Sequence, residues 1–174
     1  MQWGTETEPM ARAAYAATTG AMVIECGSIP HPRIDMAGAS PDGLIGDDGL
    51  LEIKCPNSAT HINTLRSRKP DGKYITQMQW QMACTERAWV DFVSYDPRMP
   101  EGLELFVVRI DRDAVMIAEL EREVIKFLAE VDAMVAELLA LRDGRAEYVA
   151  PAIEAPPPKK EPSRVAVADE WKLE

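Results

Sequence analysis

The stretch Ser40-Pro41-Asp42-Gly43, followed by Leu50-Leu51-Glu52-Ile53-Lys54-Cys55-Pro56, limits the possible folds more than any other part of the chain. Pro41 forces extended or turn backbone around it, and Gly46-Asp47-Asp48-Gly49 is a strong turn signal. The run from Leu50 to Ile53 is short and apolar, and Pro56 ends it. This spacing predicts a hairpin, with one strand near Leu44-Ile45, a turn, and a second strand carrying Glu52, Ile53 and Lys54.

Side chains on a strand alternate between its faces, so Glu52 and Lys54 share one face and Ile53 the other. If that face looks toward Asp42, two carboxylates and an ammonium converge beside a backbone carbonyl. Such oxygen donors suit Mg²⁺ or Mn²⁺. Lys54 could then orient or deprotonate a water, or stabilise charge developing on a phosphate. The order P-D, a gap, then E-x-K resembles the signature of the PD-(D/E)xK nuclease superfamily. On the bare pattern the rival reading is a polar hairpin with Glu52 and Lys54 paired at the surface.

At 174 residues the chain supports one domain with a real core and a tail. No apolar run approaches a membrane span and no signal-peptide pattern opens the chain, so no membrane association and a cytoplasmic setting are expected. Cys26, Cys55 and Cys84 are far apart, with no C-x-x-C pair, which argues against iron–sulfur, structural zinc or disulfide frameworks and for reduced, mostly buried thiols. The formal charge of −10 runs against the basic footprint of a nucleic-acid enzyme. Many acids fall in the C-terminal part, where they can face solvent, and bound cations would offset those of a site. Arg66, Arg68, Lys69 and Lys73 form one basic cluster near the motif, either a substrate contact or a solvated loop.

Taken in order, Met10 to Thr19 suits a helix, with Thr7 as its cap, Pro9 near its first turn and Gly20 as its stop. Glu6 and Glu8 are first-turn acids or an extra metal ligand. Ala21 to Cys26 reads as a strand, and Ile29-Pro30-His31-Pro32-Arg33 as a rigid connector. His31 and His61 lack a partner at ligand spacing and are assigned surface or capping roles. A short helix to about Arg68 precedes a turn at Lys69-Pro70-Asp71-Gly72. From Tyr74 to Thr85 a second helix sets Tyr74, Gln77 and Gln81 on one face and Ile75, Met78 and Met82 on another. Glutamines so placed reach a phosphate, a base or a water at the site, or simply face solvent. Trp89 to Tyr95 and Leu103 to Ile110 read as strands. Asp111 caps a long helix over about Asp113 to Arg142, whose Val124, Phe127, Val131, Val135 and Leu138 form a core-facing stripe. Residues 1–148 are read as one domain and 149–174 as a Pro-rich flexible tail, Trp171 near its end being a short docking peptide or part of a disordered terminus.

Together these pieces resemble the lambda-exonuclease-like, or YqaJ viral recombinase, family of the PD-(D/E)xK superfamily. The resemblance rests on Gly4 to Arg12, S-P-D-G-L and L-E-I-K-C-P within Ala39 to Pro56, Tyr74 to Met82, and Tyr95-Asp96-Pro97-Arg98-Met99, and runs to the end of the long helix. It implies an α/β core with a central mixed sheet flanked by helices. It also implies a phage-type 5′→3′ exonuclease that digests one strand of linear duplex DNA to leave a 3′ single strand for recombination, in the cytoplasm of a bacterial host. By that resemblance Asp42, Glu52 and the Ile53 carbonyl hold metal, Glu8 helps at a second ion, and Lys54 positions or activates the attacking water. Gln77 sits over the site, Ser40 lies near the 5′-phosphate, and Tyr74, Gln81, Arg66 and Arg68 join the substrate contacts. Two Mg²⁺ ions, with Mn²⁺ as an alternative, would act at the in-line displacement. A homotrimer enclosing DNA and a single-strand annealing protein are the implied partners. Relatives carry a further N-terminal region that helps bind the DNA end, and here the first motif begins almost at Met1, so the chain is read as N-terminally shortened. Other PD-(D/E)xK endonucleases, and a DNA- or partner-binding fragment with weak or no catalysis, are the alternatives.

Overall fold

The structure is a computed structural model and describes residues 2–145. Its elements are α1 (Gln2–Thr19), β1 (Val23–Ile24), β2 (Ile29–Pro30), β3 (Gly38–Ala39), β4 (Gly43–Ile45), β5 (Gly49–Lys54), α2 (Ser58–Ser67), α3 (Gly72–Thr85), β6 (Trp89–Tyr95), β7 (Leu105–Asp111) and α4 (Ala114–Arg142). By internal packing the chain divides into Met1–Ala133 and Met134–Glu174. The boundary expected at 148/149, the tail and Trp171 lie outside the described residues.

The expected hairpin forms, with Gly43 opposite Leu51 and Ile45 opposite Gly49. Its turn uses Gly46 at φ 52°, a left-handed conformation that glycine adopts without a Cβ clash. Arg87 fixes the same turn, donating to the carbonyls of Gly46 at 2.9 Å and Gly49 at 2.7 Å. A five-stranded mixed sheet runs β1-β4-β5-β6-β7, in which only the β5–β6 pair is parallel. β5 therefore sits inside the sheet, which explains its nearly unbroken apolar run: both faces are covered.

The two faces take different partners. Leu50 packs with Met78, Met82, Ala83, Val90, Phe92, Phe106 and Ile117, a cluster drawn largely from α3 and the middle strands. Leu51 and Ile53 pack with Ala11 and Tyr15 of α1 and with Val93 and Tyr95. Period two then places Glu52 and Lys54 on the α3 side. On the α1 side Tyr15 donates to Asp91 at 2.7 Å, and Arg109 grips both oxygens of Asp91 at 2.8 and 2.9 Å, tying helix to sheet. Burial, reinforced by the Asp91 carboxylate, pushes the Tyr15 phenol up.

Several local expectations change. α1 begins at Gln2, so Pro9 is interior and Thr7 is buried against the protein instead of capping. The Pro9 ring lies on an exposed face, and a Glu8–Arg12 ion pair at 2.7 Å spans it across one turn. Of Ala21 to Cys26 only Val23–Ile24 is strand, while the connector residues Ile29 and Pro30 pair with Ala39 and Gly38. Neither histidine is on the surface. His31 accepts the N–H groups of Arg33 and Ile34 at Nδ1, stacks on Trp80 and meets Glu121 at 3.2 Å. His61 bridges Ser94 Oγ and the Leu103 carbonyl, each at 2.8 Å. The Nδ1 contacts of His31 are the expected capping role, whereas the burial of both rings depends on Trp80, Glu121, Ser94 and Leu103, which local spacing does not reveal.

The expected stripe on the long helix is mostly not core. Within 114–133 only Ile117 is buried, Val124 and Val131 are half-buried, and Phe127 is exposed. Val135 and Leu138 are exposed as well. Apolar periodicity specifies a face, but burial needs an element opposite it. Asp111 is the last residue of β7 and does not cap; Asp113 does, accepting from the N–H groups of Val115 at 2.9 Å and Met116 at 3.0 Å. Asp113→Ala is expected to lower stability by about 1 kcal/mol, read as a shift in the denaturant midpoint, whereas Asp111→Ala shifts it little.

Candidate active site

Asp42 is placed by the end of a ladder. Its own N–H donates to the Leu51 carbonyl at 3.1 Å, and Pro41, which lacks an N–H, stops the pairing there. The Ile53 N–H that β4 would otherwise have met donates instead to Asp42 Oδ2 at 2.6 Å. Gly43 follows because a Cβ at that position would lie 2.4 Å from Val23 Cγ1. The turn thereby sets one carboxylate against the strand that carries the other.

Glu52 is 0% exposed. A buried carboxylate needs several donors to remain there, and three reach it: Gln77 at 2.7 Å and Lys54 both on Oε1, and Gln81 at 2.6 Å on Oε2. The glutamine stripe of α3 is thus not a solvated face. Gln77 lies at the exposed edge, whereas Gln81 is buried, so it touches Glu52 and has no path to a substrate. The Nε2 contact with Glu52 fixes the amide orientation of Gln81, because the reversed group would set oxygen against carboxylate, and its buried Oε1 has no hydrogen-bond partner among the described residues.

Electrostatics follow the packing. Burial first, and then the charge of Glu52, push Asp42 up to about 6, against the opposing pull of the Ile53 N–H, Lys54 and Arg12. Burial draws Lys54 down, but the pair with Glu52 outweighs it, aided by Asp42, and holds the ammonium above its usual value. Burial, with the nearby charges of Glu8 and Asp42, pushes the Cys55 thiol up to about 11, so it is no nucleophile at neutral pH.

A cleft of about 520 Å³ opens beside this cluster, lined by Trp3, Gly4, Thr5, Glu8, Ile53, Lys54, Cys55, Pro56 and Tyr74. Asp42 and Glu52 do not form its wall; Lys54, paired to Glu52, does. Ser40, Arg66 and Arg68 are exposed and outside its lining. Arg66 lies in the last turn of α2, and Arg68 is that helix's left-handed C-cap. Arg12 was not singled out from the sequence, yet it contacts Glu8, the Asp42 carbonyl at 3.3 Å and Glu25 at 2.8 Å. The four-residue spacing from Glu8 was the available signal.

Among the described residues no three His, Cys, Asp or Glu side chains converge as a ready-made cage. The donor chemistry nevertheless fits a hard cation: two apposed carboxylates, one with its proton affinity raised by the other, next to a peptide carbonyl at the cleft. A mixed sheet flanked by helices that presents two acids and a lysine beside an open cleft defines a metal-dependent nuclease class.

The YqaJ-like viral recombinase domain matches residues 1–88, and the chain belongs to that family. An alkaline exonuclease from Laribacter hongkongensis superposes with a TM-score of 0.82 at 55% identity, over 84% of this chain and 75% of that one. The same exonuclease in complex with dAMP matches at 56% identity and a TM-score of 0.80, over 83% and 74%. A phage-related exonuclease from Haemophilus somnus 129PT shares the fold at 17% identity, with a TM-score of 0.65 over 79% and 72%. No curated protein matches. The chain is a deoxyribonuclease of this family, whose members generally use divalent metal ions. No described helix is long and apolar enough to cross a membrane.

Proposed function

We propose that the chain is a 5′→3′ exonuclease that digests one strand of linear duplex DNA, using Mg²⁺ or Mn²⁺, and leaves a 3′ single strand for recombination. The observation that carries this reading is the buried Glu52, joined through Lys54 to an open cleft and faced by Asp42. Asp42, Glu52 and the Ile53 carbonyl would hold one cation, and Glu8 would contribute to a second. Bound there, the cations supply Lewis-acid stabilisation of charge on the phosphate.

The protein's own groups do the rest. Gln77 and Gln81 hold the Glu52 carboxyl in orientation, and Arg12 holds Glu8 and the Asp42 backbone in place. Lys54 is protonated at neutral pH, so of the roles open to it, donation fits best: it orients a water and stabilises negative charge as it develops on the phosphate. Tyr74, with Lys54 5.3 Å and Lys73 4.8 Å from its ring centroid, gives the cleft a wall suited to an anionic strand. Family likeness supports a homotrimer on DNA ends, a single-strand annealing protein as partner, and action in the cytoplasm of a phage or prophage host. The division into a nuclease domain over 1–148 and a tail over 149–174 belongs to the same reading.

The test is nucleotide release from linear, 5′-phosphorylated duplex and from closed circular duplex, with Mg²⁺ or with chelator. Release from the linear form alone, lost on chelation, is expected. Cutting of the circle would make the chain an endonuclease. DNA binding without release under any divalent cation would make it a binding module.

A further inference from the structure

The cleft lined by Lys54 also holds an aromatic ring that the chemistry above does not use. Trp3 lies in the first turn of α1, lines the cleft and is 41% exposed, although tryptophan is ordinarily well buried on average. Its ring is not left to wander. The Arg98 guanidinium stacks on it, 4.5 Å from the ring centroid. Arg98 is locked in turn by a two-point grip on Asp96, at 2.7 and 3.0 Å, and Asp96 is wholly buried. The Asp96 carboxyl is held well below the usual range by those bonds. A rigid chain from a buried acid thus presents one face of an indole to a guanidinium that is not itself part of the cleft lining, while the indole is.

The same cleft contains Lys54 and, on α3, Tyr74 braced against Phe92. A ligand that satisfies an exposed, cation-backed aromatic plane and an ammonium together carries a π-face and an adjoining anion, which is the chemistry of a nucleotide. We propose that Trp3 is a stacking platform for a nucleobase of the strand being digested, next to the phosphate that meets Lys54. This inference rests on the nuclease reading above and names how that site grips its substrate. Stacking tolerates every base, as an enzyme that advances through any sequence requires. Trp3 is a substrate-binding residue, so its loss shows in affinity more than in turnover.

The experiment pairs Trp3→Ala and Trp3→Phe with duplexes carrying an abasic residue at one of the first three 5′ positions. Trp3→Ala is expected to raise KM about tenfold, with kcat near that of the wild type, and Trp3→Phe to stay close to the wild type. At one position the abasic residue raises the wild-type KM by the same factor and adds nothing further to Trp3→Ala. Losses that multiply at every position, or no loss in Trp3→Ala, overturn the proposal; multiplying losses with a reduced kcat would mean that Trp3 only holds α1. Anisotropy of the same labelled duplexes without divalent cation reads the same pairing as binding. A wild type that releases no nucleotide but shows this coupling sinks the nuclease reading and keeps the platform, and active enzyme without coupling does the reverse.

Discussion

Lys54→Ala reduces nucleotide release from linear duplex by about 10²- to 10⁴-fold, the range of a lost proton-donating or charge-stabilising group at a reacting centre. Lys54 ends β5 and, of the three donors to Glu52, is the one that lines the cleft. Gln77 and Gln81 remain on the Glu52 carboxylate after the change, so the buried charge is not orphaned. Stability should fall by only about 1–3 kcal/mol as a result. Lys54→Arg keeps the charge but replaces a compact ammonium with a larger planar fork, and should restore little. Single-turnover release with enzyme in excess, alongside circular dichroism, separates chemistry from folding. A folded Lys54→Ala protein within tenfold of the wild type would falsify the assigned role.

Asp42→Asn should do two opposite things: remove activity and, without divalent cation, stabilise the fold. A carboxyl raised to about 6 by burial and by Glu52 is charged at neutral pH only at a cost to the native state. The sign follows from proton counts. Between roughly pH 4 and 6 the unfolded chain has released this proton and the native state has kept it, so stability falls as pH rises through that window. Below it both states are protonated and the cost vanishes; above pH 6 it is fully present, at about 1–3 kcal/mol. Asparagine cannot ionise, yet its Oδ1 can still accept from the Ile53 N–H. Denaturant unfolding with chelator at pH 4 and pH 7.5 should show the variant's advantage only at the higher pH. An equal effect at both values would show that the charge is not the cause. Added divalent cation should raise the midpoint of the wild type and leave that of the variant nearly unmoved, because mass action needs the carboxylate.

Much of the site could be read locally. Pro41 and the Gly46–Gly49 turn specify the hairpin, period two puts Glu52 and Lys54 on one face, and the 77/81 spacing puts two glutamines on another. These rules act over a few residues, where chain geometry alone decides which side chains are neighbours. The same rules misplaced the start of α1, since a proline at a helix position reads as a boundary until an exposed face and a Glu8–Arg12 bridge make it tolerable. They set both glutamines on one helix face, and only the packing of α3 over β5 buries Gln81 and leaves Gln77 at the edge. They offered a surface or a capping role for each histidine; His31 does cap the turn at Arg33 and Ile34, but both rings are buried because Glu121, Ser94 and Leu103 reach them from distant elements.

The sequence by itself determined the two strands, the turn between them and the placing of Glu52 and Lys54 on one face. Tertiary structure decided the rest: that β6 lies parallel beside β5, that Arg12 reaches the carbonyl of Asp42, and that Arg98 backs Trp3 at the cleft. The physical reason is range. Propensity and periodicity are properties of a few consecutive residues, whereas the proton affinity of Asp42 and the burial of Glu52 depend on elements that meet only when the sheet closes and α1 and α3 cover its two faces.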